Sequence, residues 1–205
     1  MSFDMYVFGS VVRGEVGATS DIDLLVIPAD KSPDACLPAS WSVYGRDVIR
    51  QYFQEGRLFA WHLFRQSVCV HAGNGDWMKS LGAPAPYTSE KEDVIALRAL
   101  LEDSLRELRN GTESRVYELG ICYTAIRDIA MAASWKITGE PDFSKCAPYN
   151  LSYKCPLPLV AYEVGMLCRH SSTRGTACPQ GIDFVVEDFV NAPLLEWVNL
   201  LEGYL

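Results

Sequence analysis

Two short motifs near the start of the chain carry residue types that handle phosphates and metal ions. They are Phe8-Gly9-Ser10 and, ten residues later, Asp21-Ile22-Asp23-Leu24-Leu25-Val26. In a strand, side chains alternate between faces, so Asp21 and Asp23 point the same way and Ile22 the other. Two like charges on one face repel unless something neutralises them. A hard divalent cation such as Mg2+ does so, because it prefers carboxylate and phosphate oxygens. Gly9 lacks the Cβ that would keep a phosphate from the backbone. Ser10 adds a hydroxyl, and the amides after it are placed to open a helix whose N-terminus favours anions. The chemistry expected is therefore metal-dependent handling of a nucleotide.

The elements that position these residues follow from the local pattern. Met5-Tyr6-Val7-Phe8 is a short apolar run of strand type, ended by Gly9, and 21–27 is a second. Between them, 11–16 is expected to form a short helix and Gly17-Ala18-Thr19-Ser20 the return turn.

The segment Gly9-Ser10-Val11-Val12-Arg13-Gly14-Glu15 … Ser20-Asp21-Ile22-Asp23-Leu24-Leu25-Val26 resembles the minimal nucleotidyltransferases of the DNA polymerase β superfamily. The likeness covers roughly the first 30 residues by motif and about the first 85 by pattern. It combines Gly-Ser, the Arg-Gly-Glu element, the spacing and the acid pair; a lone Asp-x-Asp would be weak. The resemblance implies that Gly9 and Ser10 contact the nucleotide phosphates and that Asp21 and Asp23 hold the catalytic Mg2+ or Mn2+ ions. Arg13 would add positive charge near the phosphates, since arginine suits their bidentate recognition; a solvated helix residue is the plainer alternative. The NTP it implies is ATP, with AMP transferred to a hydroxyl of a small-molecule or protein acceptor.

That family pattern includes a third carboxylate on a later strand. The apolar run Leu58-Phe59-Ala60-Trp61-His62-Leu63-Phe64 is read as that strand, with Gln66-Ser67-Val68-Cys69-Val70-His71 as the next. At the expected acid position the chain offers His62. Imidazole is a poorer Mg2+ ligand than carboxylate but suits transition metals, and it can act as a general base near neutrality. The alternative is a histidine packed under an apolar sheet. Asp47 and Glu55, on the preceding helical stretch, are alternative third acids. Without a third acid, the enzyme stands beside a second reading, a weakened nucleotide-binding regulator or antitoxin-like partner.

Composition narrows the acceptor. The 205 residues are 49% hydrophobic and 21% charged, an ordinary globular balance for one or two domains. The 18 Lys plus Arg against 26 acids give a formal charge of −8, and no basic cluster stands out. Nucleic-acid binders need cationic surface to release counterions, so nucleic acid is not the expected partner. An acidic surface also suits cationic substrates such as aminoglycosides. No apolar run spans a membrane, and Met1-Ser2-Phe3-Asp4 lacks a signal peptide's basic and apolar regions. The seven scattered cysteines read as reduced thiols of a cytoplasmic protein. Cys146, Cys155, Cys168, His170 and Cys178 are spaced too irregularly for an ordinary zinc motif.

Gly82-Ala83-Pro84-Ala85-Pro86-Tyr87 marks a boundary, giving a nucleotidyltransferase domain over 1–85 and a helical domain over 88–205. Thr88-Ser89-Glu90 reads as a helix start, and Val94, Leu97, Leu101, Leu105 and Leu108 trace one apolar face up to Asn110-Gly111. A second helix is expected over 112–136, with Leu119, Cys122, Tyr123, Ile126, Ile129, Ala130 and Ala133 as its core face. Two more are expected over 156–170 and 182–201. The fold class expected is α+β: a mixed sheet with helices, then a helical bundle. This layout resembles antibiotic nucleotidyltransferases and related toxin–antitoxin proteins, whose helical part helps to form the acceptor site. By that likeness Glu113 and Glu118 are candidate bases, with helix-surface acids as the alternative. A homodimer is compatible with this layout.

Overall fold

The structure is a computed structural model and describes residues 2–16, 22–29, 38, 41–73 and 75–205. The expected return turn at 17–20, Asp21 and Cys36 lie outside the described residues. The chain divides into two compact units, Met1–Thr88 and Ser89–Leu205.

In the first unit, strand β1 (Phe3–Phe8) lies between β2 (Asp23–Pro28) and β4 (Ser67–His71), antiparallel to both. The short β3 (Ser42–Val43) pairs parallel with β2, so the sheet is mixed, in the order β3-β2-β1-β4. Strand β1 alternates as its sequence demands: Asp4, Tyr6 and Phe8 are buried, while Phe3, Met5 and Val7 are half-buried. Tyr6, Phe8, Leu25 and Ile27 pack with Ile49 and Phe53 of helix α1 (Arg46–Gln54) and with Ala60 and Leu63 of helix α2 (Leu58–Gln66). Each of the leucine, isoleucine and phenylalanine side chains among them, fully buried, contributes about 1.5–3 kcal/mol.

Asp4 is fully buried at the far end of β1. It accepts a hydrogen bond from Arg46 Nη2 at 2.9 Å and one from the Gly73 amide at 3.0 Å. The Arg46 guanidinium also lies over the Trp77 ring, 5.2 Å from its centre.

Two expectations for this unit are corrected. The 58–64 run is helix, not strand. Its buried residues, Ala60 and Leu63, are three apart, and Phe64 is exposed; that is helical rather than alternating burial. The 11–16 helix is a closed turn held by Arg13 N to Gly9 O (3.3 Å), Gly14 N to Val11 O (3.2 Å) and Glu15 N to Ser10 O (2.9 Å). The boundary stretch is itself fastened to the helices. The Ala85 amide donates to Phe53 O at 2.8 Å and Trp61 Nε1 donates to Ala85 O at 2.9 Å. Gly56, at φ +65°, lies so close that a Cβ would overlap the carbonyl oxygens of Ala85 and Pro86.

The second unit is helical: α3 (Glu90–Arg109), α4 (Arg115–Thr138), α5 (Ala147–Asn150), α6 (Leu159–Arg174), α7 (Ile182–Asn191) and α8 (Leu194–Glu202). Helix α4 is buried on nearly every side, including all seven residues of its expected core face, and stops at Gly139 in a left-handed cap. Helix α6 presses on it through two glycines. A Cβ on Gly120 would sit 2.9 Å from Arg169 Cα, and one on Gly165 would sit 3.2 Å from Tyr123 Cβ of α4 and 2.9 Å from Phe189 Cζ of α7. The single helix expected over 182–201 is two, because Pro193 removes an amide donor and its ring clashes with the preceding turn. Arg98 of α3 bonds Glu102 (2.8 Å) and Glu202 of α8 (3.1 Å).

The α+β class is thus as the sequence predicts: a mixed four-stranded sheet with helices, then a helical region. Among the described residues no helix is long and apolar enough to cross a membrane.

Candidate active site

The site is built where β1 ends. Register pairs Phe8 with Asp23, so the Gly-Ser turn begins opposite the second acid of the pair. Gly9 adopts φ +77°, a conformation that glycine enters freely and other residues avoid. A Cβ there would lie 2.5 Å from Asp23 Oδ2. The backbone of Gly9 therefore rests directly against the Asp23 carboxylate, and only glycine permits it.

Beyond Gly9 the chain curls into the 9–15 turn. Among the described residues the amides of Val11 and Val12 donate to no backbone acceptor. Such leading amides of a helical turn are anion donors. Ser10 is half-buried at the head of the turn. Arg13 ties the turn down: its Nε bonds Glu15 Oε2 at 3.0 Å, and its Nη1 bonds Gln66 Oε1 at 2.9 Å. Glu15 and Gln66 are thus part of the site's framework. Glu15 was visible in the Arg-Gly-Glu element; Gln66, 53 residues from Arg13, had no local signal.

His62 comes from α2, not from a strand. Its ring meets Phe8 edge-on, with centroids 5.7 Å apart at 79°. It therefore lies behind the residue that precedes Gly9. The run 58–64, on which the third acid was expected at the place of His62, is helix; the strand that flanks β2 opposite β1 is β3, and it carries Ser42 and Val43. Of the alternative acids, Asp47 accepts from Arg50 at 3.3 Å on the exposed side of α1. Glu55 accepts from Gln51 at 2.7 Å and Arg57 at 2.6 Å, and these bonds hold its carboxyl below the usual carboxylate range. Glu113 and Glu118 belong to the helical unit, the first exposed before α4 and the second in its first turn.

The donor set suits a hard cation as far as it is described, since Asp23 presents carboxylate oxygen beside a turn with open amides. Asp21 lies outside the described residues. Among those residues no three His, Cys, Asp or Glu side chains gather as metal ligands, so Cys146, Cys155, Cys168, His170 and Cys178 form no zinc site.

A glycine-serine turn abutting a strand-borne acid, on a mixed sheet backed by two helices, is the arrangement of a nucleotide-handling α+β domain. The family model of the nucleotidyltransferase domain, in the polymerase β-like superfamily, matches residues 2–63, and this stretch of the chain is similar to that family. The match runs from β1 into α2 and takes in Gly9, Ser10, Arg13, Glu15, Asp21, Asp23 and His62; Gln66 lies just beyond it. No curated protein matches the chain.

Proposed function

We propose that the chain is a metal-dependent nucleotidyltransferase that moves a nucleoside monophosphate, AMP from ATP in the simplest case, to a hydroxyl of a small molecule or protein. The observation that carries this reading is the contact between Gly9 and Asp23, inside the stretch similar to the nucleotidyltransferase domain. Asp21 and Asp23 would hold Mg2+ or Mn2+. When bound, the ions supply charge neutralisation for the triphosphate and a lowered pKa for the acceptor hydroxyl. Gly9 lets the turn close against the Asp23 carboxylate and contacts the phosphates through its backbone, the amides of Val11 and Val12 and the Ser10 hydroxyl donate to them, and Arg13 holds the turn in shape. The acceptor oxygen attacks the α-phosphorus, the bond to the bridging oxygen breaks and pyrophosphate leaves. His62 is the candidate that takes the hydroxyl proton, with Glu113 and Glu118 as second choices.

The test is incubation with α-labelled ATP, Mg2+ or Mn2+ and a panel of hydroxyl acceptors, the wild type against Asp21→Ala/Asp23→Ala. Label transfer is expected to drop at least about a hundredfold in the variant, the loss that follows when metal-borne charge stabilisation of several kcal/mol goes. Equal turnover in both proteins overturns the proposal. One observation favours a second reading: the position expected to bear the third acid is His62, and it lies on helix α2. A regulator that binds nucleotide would show NTP binding by calorimetry and no pyrophosphate release with any acceptor.

A further inference from the structure

Helix α2 reaches the Gly-Ser turn by a route that the strand register dictates. It runs into β4 without a linking residue, since Gln66 ends the one and Ser67 begins the other. Ser67 pairs with Phe8 in the antiparallel ladder. The residue before Ser67 therefore lies beside the chain just after Phe8, where the turn starts. From there Gln66 Oε1 accepts a hydrogen bond from Arg13 Nη1 at 2.9 Å. One helical turn earlier on α2, the His62 ring packs edge-on against Phe8. Gln66 thus extends the hold of α2 on β1 beyond Phe8 and into the turn itself. The Arg13 side chain, only 15% exposed, is gripped from two directions, by Gln66 at Nη1 and by Glu15 Oε2 at Nε, the latter at 3.0 Å. Its own amide donates to Gly9 O at 3.3 Å, so what holds the Arg13 side chain also holds Gly9.

The chemical type of that second acceptor matters. A carboxylate binds a guanidinium about twice as strongly as an amide oxygen does. It would also change the charge of the turn. With Glu15 as the one acid, the cluster of Arg13, Glu15 and Gln66 carries no net charge. A second acid at position 66 would make it negative, and a polyanion approaching the amides of Val11 and Val12 would be repelled. The amide oxygen of Gln66 fixes the arginine without adding that charge.

We propose that Gln66 is a positioning residue for the phosphate-binding turn. Through Arg13 it holds the turn closed on Gly9, and its neutrality keeps the turn open to a triphosphate. The identity of the ligand rests on the nucleotidyltransferase reading above; the hold on the turn does not.

The experiment has two arms, both on the full chain. The first needs no nucleotide and follows hydrogen exchange at the amides of Arg13, Gly14 and Glu15, with those of Tyr6 and Leu25 in the β1–β2 ladder as reference. Gln66→Met keeps the length of the side chain and removes the acceptor. It should speed exchange in the turn at least about fivefold more than in the reference, as befits the loss of a hydrogen bond to a charged group. Gln66→Glu should leave the turn as slow as the wild type or slower. If Gln66→Met fails to fold, Gln66→Asn, which shortens the reach, carries the comparison. Exchange in the turn that does not outpace the reference overturns the hold. The second arm is calorimetry with MgATP. Gln66→Glu should bind at least about fivefold more weakly than the wild type at low ionic strength, and the gap should narrow as salt screens the added charge. In transfer assays the same variant should raise KM for ATP and keep kcat. A structural role alone, in a variant at least as well folded as the wild type, would move neither. Equal affinity in the two proteins overturns the role of neutrality. No binding of MgATP to the wild type overturns the nucleotide reading and the ligand assigned here with it, while hydrogen exchange still decides the hold on the turn.

Discussion

At Gly9 two constraints coincide, and both are local. The positive φ disfavours any side chain, and the Asp23 carboxylate occupies the space a Cβ would need. Gly9→Ala is expected to destabilise the first unit by about 1–3 kcal/mol, the usual cost of a strained backbone position. It should also displace Asp23, so nucleotide binding should weaken beyond what the lost stability explains; urea titration and calorimetry on one preparation separate the two effects. The Gly-Ser and Asp-x-Asp motifs were legible in the sequence because side-chain chemistry and strand alternation define them within a few residues. The place of His62 was not. Leu58 to Phe64 is apolar without a break, and a run of that length fits a buried strand and a buried helix equally. The decision came from tertiary packing, which buries Ala60 and Leu63 together and leaves Phe64 out.

Among elements, the two ends of β1 do different work. Phe8 leads into the turn, while Asp4 anchors Arg46 at the start of α1 and the amide of Gly73 beyond β4. Asp4→Ala would leave the guanidinium and the amide without their acceptor. The expected cost is about 3 kcal/mol, typical of removing one partner of a buried pair. An Asp4→Ala/Arg46→Met double variant should recover part of it, and a urea double-mutant cycle measures how much. Helix α4 poses the opposite question at Gly120. In an exposed helix, glycine to alanine gains about 1 kcal/mol. Here the new methyl meets the α6 backbone, which cannot rotate away, so overpacking of about 1–3 kcal/mol is expected to win. A Gly120→Ala chain that melts above the wild type would contradict that packing. The lengths of α3 and α4 were readable from their periodicity and from Gly111 and Gly139. The break before α8 was written in Pro193, but the apolar pattern on either side concealed it.

For the whole molecule, the thiols fix one edge of the pH range. Burial pushes the Cys155 and Cys168 thiols up to about 12, and Cys122 upward as well. Unfolded thiols titrate near 8.5, so each contribution is intact below about pH 8.5 and is lost above it, by about 1.4 kcal/mol per pH unit per thiol. For Cys155 and Cys168 the loss runs on until about pH 12. Urea midpoints should therefore fall steadily from pH 8 to 10, and a flat profile would count against the burial of these residues. The division into two units was partly legible, since Gly82, Pro84 and Pro86 do interrupt regular structure. What composition could not reveal is that the same stretch is bonded back onto α1 and α2 through Phe53, Trp61 and the bare backbone of Gly56. That fastening turns a nominal tether into a gauge. A protease can nick the chain near residue 85 only after the first unit lets go, so the nicking rate follows the open population rather than surface access. Trp61→Phe removes one of the fastenings, a hydrogen bond of about 1 kcal/mol, and should raise that rate about fivefold.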